Sequence, residues 1–195
     1  MAQADAIQIC SEALILIGEA PIESFEGATA AHQAANAHYL PNVAGLLASH
    51  PWRFNRQIVQ LVRLAGDPPM ATGYSAAYAL PVGMLRLIVP FVNGKAVDGW
   101  EPSETVVWLD AELADQVELE YHGMVDELRF SAQFRQALVH HLASVFAVPI
   151  RDDARMMDLQ RQASAEWLAK ARHQNATERP ARQMPTGRFA ALRRQ

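Results

Sequence analysis

The sequence predicts an α+β protein: a four-helix bundle-like helical domain, an inserted antiparallel β-rich region and an extended C-terminal tail. Three observations carry this. Apolar residues recur at spacings of three and four near both ends of the chain. Between those stretches lie short runs rich in Val, Ile, Leu and aromatics, bounded by Pro and Gly. Beyond Gln174 the periodicity stops and the charge turns positive. Residues 1–56 and 130–174 are therefore read as the helical domain, 57–129 as the β-rich insertion and 175–195 as the basic tail.

The first helix is expected over 3–17, with Ile7, Cys10, Leu14 and Ile17 on one stripe and Gly18 and Pro21 ending it. Residues 19–28 form a loop. Thr29 is a plausible N-cap for a second helix reaching about Ser49, whose face holds Ala31, Ala35, Tyr39, Val43, Leu46 and Leu47. Its alanines predict close helix–helix approach. Pro41 lacks a donor and crowds the preceding turn, so a kink or a split is expected there, and His50-Pro51 ends the run.

Residues 57–64 fit either a strand or a helix end, and Gly66-Asp67-Pro68-Pro69 is a turn. Strands are expected over 74–80, 85–92, 105–109 and 116–121, with Asn93-Gly94 as a hairpin turn. Val117, Leu119 and Tyr121 alternate with Gln116, Glu118 and Glu120, the pattern of a half-buried strand. Ser131 can cap a third helix carrying Phe134, Leu138, Leu142 and Val145, which Pro149 stops. Asp152 and Asp153 suit the positive end of a fourth helix, and Lys170, Arg172 and His173 its negative end. Met156, Leu159, Ala163, Trp167 and Ala171 are its expected stripe.

The chain has 195 residues, half of them apolar, enough for one core and a small insertion. Only 19% are charged, below the usual quarter, which implies surface covered by partners. Cys10 is the single cysteine, which excludes an internal disulfide, and its place on an apolar stripe predicts a buried small hydrophobe. No apolar run approaches the roughly 18 residues of a membrane span, and the start lacks the basic residues of a signal peptide. A cytosolic protein, or part of a particle built in the cytosol, is expected. From Asn175 onward five arginines (Arg179, Arg182, Arg188, Arg193, Arg194) oppose Glu178, a net of +4. Against −4 for the whole chain, the body then carries −8.

No catalytic or cofactor signature is found: no glycine-rich phosphate loop, no Cys-x-x-Cys, no His-Glu-x-x-His and no Gly-x-Ser-x-Gly. The expectation is a protein that is not an enzyme and takes no cofactor or metal. His140-His141, with His122 and His173, raise metal binding. Adjacent helical residues point about 100° apart, so one near the core and one at the surface is the preferred reading. Asp110, Glu112 and Asp115 read as a solvated loop, against an acid–base pair. Trp52 and Phe54, with Arg53 between them, either stack on bases or, with Tyr39, anchor helix ends to the core. The anchor reading is preferred. In the tail, Phe189 and Leu192 share a helical face flanked by Arg188, Arg193 and Arg194. A docking peptide is favoured there over a nucleic-acid contact or an unordered terminus.

Taken in order, these pieces resemble the phage tail tubular protein A, or head–tail adaptor, family. The resemblance runs through Ala6-Ile7, Glu12-Ala13-Leu14, Leu16-Ile17-Gly18-Glu19-Ala20-Pro21-Ile22 and Ser24. It continues in Ala34-Ala35-Asn36, Tyr39, Leu46-Leu47 and His50-Pro51-Trp52-Arg53-Phe54. Tyr74, Tyr78-Ala79-Leu80-Pro81, Met84-Leu85-Arg86, Phe134, Ala137-Leu138 and Leu142-Ala143 complete it, over about residues 5–172. The resemblance implies a virion protein of the phage neck, in a ring of about twelve copies joined head to tail beneath the portal protein. Such a ring extends the channel for genomic DNA toward the tail nozzle or next tail protein. It also implies that the C-terminal segment, with Arg179, Arg182, Arg188, Phe189, Leu192, Arg193 and Arg194, docks on portal. An acidic lumen would let DNA slide, because few phosphate–arginine contacts form. The alternatives are a nucleic-acid-binding accessory module using the basic tail, and a hydrolase built on Asp110–Asp115.

Overall fold

The computed structural model describes residues 2–66 and 68–178. It is a mixed α+β fold with four helices and two antiparallel sheets among those residues. None of the described helices is long and apolar enough to cross a membrane.

Helix α1 (Ala2–Leu16) buries Ala6, Ile9, Cys10, Ala13 and Leu14. Gly18, at φ +75°, closes its end, a backbone angle that glycine reaches without a Cβ clash. The Ser11 hydroxyl then ties the following loop by donating to Ile22 O and accepting from Ile22 N.

Helix α2 (Ala30–Ala48) starts on Thr29, whose side chain accepts from His32 N. The split considered at Pro41 does not occur, and the helix is continuous through it. Pro41 is exposed, so water can reach the carbonyl it leaves without a donor, and Asn42 Nδ2 donates to His38 O at 2.7 Å in the same turn.

Helix α3 (Ala132–Arg151) begins on Ser131 and buries Phe134, Ala137, Leu138, Val139, Leu142, Ala143, Phe146 and Ala147. So broad a buried surface follows from its position: α1, α2 and α4 all pack on it. Pro149 was expected to stop this helix, yet helix continues to Arg151. It ends at Asp152, in the left-handed region at φ 51°, whose N–H reaches Ala147 O and Val148 O. The one backbone bond lost to proline is outweighed by burial of Phe146 and Ala147 in the same turn.

Helix α4 (Ala154–Thr177) is capped by Asp153, which accepts from Met156 N at 2.8 Å. Its inward line is Gln160, Ser164 and Ala171, while Leu159 of the expected stripe is exposed. Small and hydrogen-bonded residues let α4 lie close to α3: Ser164 Oγ donates to Ala137 O at 2.9 Å, and Gln160 Oε1 meets His140 Nδ1 at 2.7 Å. The helix also runs past the expected boundary at 174, so residues 175–177 of the presumed tail are helical.

One sheet has the order β1 (Arg56–Gln60), β7 (Val117–Gly123), β3 (Met84–Val92), β4 (Lys95–Ala96). The other has β2 (Ala76–Ala79), β6 (Val106–Leu109), β5 (Trp100–Pro102). Asn93 (φ 50°) and Gly94 (φ 76°) make the turn from β3 to β4, both with the positive φ of a tight hairpin. The stretch 57–64, ambiguous in sequence, is strand as far as Gln60 and contains no helix. After β1, Leu61 N donates to Val117 O, Arg63 pairs with Tyr78, and Leu64 N donates to Ala77 O. One extended segment thus borders both sheets.

Strand β7 corrects the half-buried reading. Val117, Leu119 and Tyr121 enter a second core with Leu61, Tyr78, Val107 and Leu109. Glu120 and His122, on the other face, are buried as well. The cause is position: β7 is flanked by β1 and β3, and its second face lies toward the end of α2.

Candidate functional site

The β7 face that carries Glu120 and His122 forms the floor of a cleft of about 730 Å³ between the sheet and the ends of α2 and α4. Register assembles its charges. Arg56 is opposite His122 on one side and Arg86 opposite it on the other, giving a cross-strand row Arg56–His122–Arg86. Glu120, two residues back along β7, pairs with Arg56 Nε at 2.5 Å. Among the described residues Arg86 has no carboxylate partner. Arg53 adds a third guanidinium to the lining, and Pro51, Leu87 and Ile88 give it apolar wall.

Hydrogen bonds hold the rim. Asn55 Nδ2 donates to Leu47 O, which leaves its Oδ1 to accept from His122 Nδ1 at 2.7 Å. The proton of the neutral His122 ring therefore sits on Nδ1, and Nε2 is its acceptor. From α4, Asn175 Oδ1 accepts from Arg53 N at 2.8 Å, and its Nδ2 donates to Pro51 O at 3.2 Å and faces His50 Nε2. His122 has its pKa lowered by burial and then by Arg86. His50 is lowered by burial and by Arg172. The cleft is cationic in an otherwise acidic body.

A second feature is the β6–β7 loop, residues 110–116. Asp110 Oδ1 accepts from Ser75 N, and Arg63 Nη1 donates to Ala111 O and Glu112 O. Asp115 accepts from Glu112 N and Asn93 Nδ2, and those bonds, the first above all, hold its carboxyl below the usual range. Asp110 and Asp115 thus shape the loop, and the acidic trio is not an acid–base pair facing a common point. Leu113 stands at the tip, 87% exposed, and Glu112 beside it is exposed without an ion-pair partner among the described residues.

Trp52 is fully enclosed: its Nε1 donates to Leu46 O at 3.0 Å, and its ring lies 5.1 Å from Phe134 and 5.8 Å from Phe54. It has no face for a base. Phe54 is half-buried and edge-on to Phe134. Tyr39 is buried, and its hydroxyl donates to Glu127 Oε1 at 2.8 Å, which with burial raises its pKa well above the ordinary value. Cys10 lies in the helical core, where burial pushes its thiol up to about 12.

His140 and His141 do not divide into one core and one surface residue. Both are half-buried, and His141 Nε2 meets Asn42 Oδ1 at 2.8 Å, while His140 is held from α4. Each is spent on a different helix. Among the described residues no group of three or more His, Cys, Asp or Glu is placed to hold a metal. Arg179, Arg182, Arg188, Phe189, Leu192, Arg193 and Arg194 lie outside the described residues.

The cleft residues Arg56, Arg86, Glu120 and His122 escape a motif search because they come from three strands. Their only local signal is charge inside otherwise apolar strands, Arg86 in Met84–Val92 and His122 after Tyr121. No family model matches the chain, and no curated protein matches it.

A third surface is apolar. Ile58, Val62 and Leu64 alternate along the outer side of the 56–64 segment, 58%, 71% and 38% exposed. Ile58 lies on β1, the outermost strand of its sheet, and Val62 and Leu64 follow where the segment runs beside β2.

Proposed function

We propose that this chain is a structural adaptor of a tailed phage: a ring beneath the portal protein that joins capsid to tail and extends the DNA channel. The observation that carries this reading is the exposed apolar row Ile58, Val62 and Leu64 on the segment that leads from β1 to β2. Exposed apolar rows are a liability in a free monomer and a contact surface in an assembly. The low charged fraction points the same way.

In this reading α1–α4 form a bundle-like domain and the β region is an excursion from it. About twelve copies close a ring by heterologous contacts. The acidic body lines a channel past which genomic DNA slides, the basic residues beyond Glu178 hold the portal, and the tail nozzle or next tail protein sits below. The protein acts in the virion neck, uses no cofactor and catalyses no reaction. The nucleic-acid-binding alternative keeps the tail arginines but loses Trp52, whose ring is enclosed.

Negative-stain images of the purified chain mixed with portal test this. Rings on portal are expected. A chain that stays monomeric with portal yet binds duplex DNA tightly at moderate salt would overturn the adaptor reading in favour of the alternative.

A further inference from the structure

We propose that the β6–β7 loop of one copy docks in the basic cleft of another, with Glu112 meeting Arg86 and Leu113 lying on the wall of Pro51, Leu87 and Ile88. As a subunit contact it rests on the adaptor reading for its place in a ring, but the contact itself is tested without portal.

The loop is built to present two side chains. Arg63, Ser75, Asn93, Asp110 and Asp115 are all committed to the loop's own backbone or to one another. What remains outside is the Glu112 carboxylate and the Leu113 side chain. A large apolar residue held 87% exposed on a loop tied by this many bonds enters an interface with little ordering left to lose. The cleft is its complement in chemistry. It holds a cation without a carboxylate, Arg86, a further guanidinium from Arg53, and apolar wall beside them.

The loop cannot fill its own cleft. It precedes Val117, and the cleft is built around His122 near the far end of the same strand. At about 3.3 Å per residue the strand separates them by about 20 Å. A knob and a socket at opposite ends of one strand are the two unlike surfaces that a head-to-tail contact requires. The body's net −8 disfavours a long nucleic acid as occupant, whereas a single carboxylate on a short loop meets only the local positive field.

The test uses the full chain carrying Leu113→Cys and Ile88→Cys, treated with a short bismaleimide. The native Cys10 is enclosed and stays silent. Cross-linked dimers and higher species are expected. In this background Glu112→Arg or Arg86→Glu should each lower the cross-linked yield about tenfold, and the two together should restore it. Circular dichroism of each variant separates misfolding from lost contact. Yields unchanged by either reversal, or not restored by the pair when all variants fold, overturn the docking. So does duplex DNA binding that Arg86→Glu abolishes and Glu112→Arg leaves intact, which makes nucleic acid the occupant. A product that stops at the dimer, with the charge swap still working, keeps the docking and sinks the ring. Rings on portal that ignore the charge swap keep the adaptor and sink the docking.

Discussion

Arg56 Nε lies 2.5 Å from Glu120 Oε1, an ion pair with one half-exposed partner and one buried. The arginine reaches solvent, but the carboxylate is only 9% exposed and depends on it. Removing one member of such a pair costs more than the pair contributes, because a buried charge is left behind. Arg56→Met should destabilise the fold by about 1–3 kcal/mol, while Arg56→Met with Glu120→Gln should recover part of that loss. Urea midpoints at constant slope would measure both.

Three histidines have depressed pKa values: His50, His122 and His141, each chiefly through burial. Each binds a proton less readily in the fold than in the unfolded chain, where histidine protonates near about pH 6.5. The unfolded state therefore binds more protons as pH falls below that value, and stability is fully present above it and lost on acidification. The urea midpoint should fall between pH 7 and pH 5.5. His141→Asn, which removes one of these rings, should give a flatter dependence over the same window; an unchanged slope would count against it.

Trp52 joins the end of α2 to α3 through contacts with Phe134, Phe54 and His50. Trp52→Ala should cost about 3–5 kcal/mol, the range for deleting an enclosed aromatic side chain. Thermal unfolding followed by far-ultraviolet dichroism checks this, since the helices dominate that signal whether or not the indole is present.

Asn175 makes its contacts to Arg53, Pro51 and His50 from the last turns of α4. A truncation ending at Gln174 should therefore be less stable than one ending at Glu178, by about 1–2 kcal/mol for the lost hydrogen bonds. On the adaptor reading, both should fail to pull down portal. Equal midpoints for the two truncations would remove the structural role given to Asn175.

Much of the helical framework was legible because its signals are local. Thr29, Ser131 and Asp153 each cap a helix by accepting from an amide three residues on, and Asn93-Gly94 turns the chain within its own two residues. Prolines were less readable. Pro41 and Pro149 carry a local penalty that predicts a break, but whether it breaks the helix depends on what the neighbouring turn buries and on whether water reaches the freed carbonyl.

The cleft was not legible. Alternation in 116–121 places Glu120 outside, yet β1 and β3 on either side, with the helix ends above, enclose it beside His122. The basic tail is visible in the sequence because its five arginines fall within one short stretch, whereas the row Arg56–His122–Arg86 spans sixty-six residues of chain and exists only through register. Charge totals, capping residues, turn types and the order of helix and strand follow from the sequence by itself, because each depends on neighbours a few residues away. The basic cleft, the exposed Leu113 knob and the exposed apolar row were decided only by tertiary structure, because strand pairing sets which side chains share a face and which face is left uncovered.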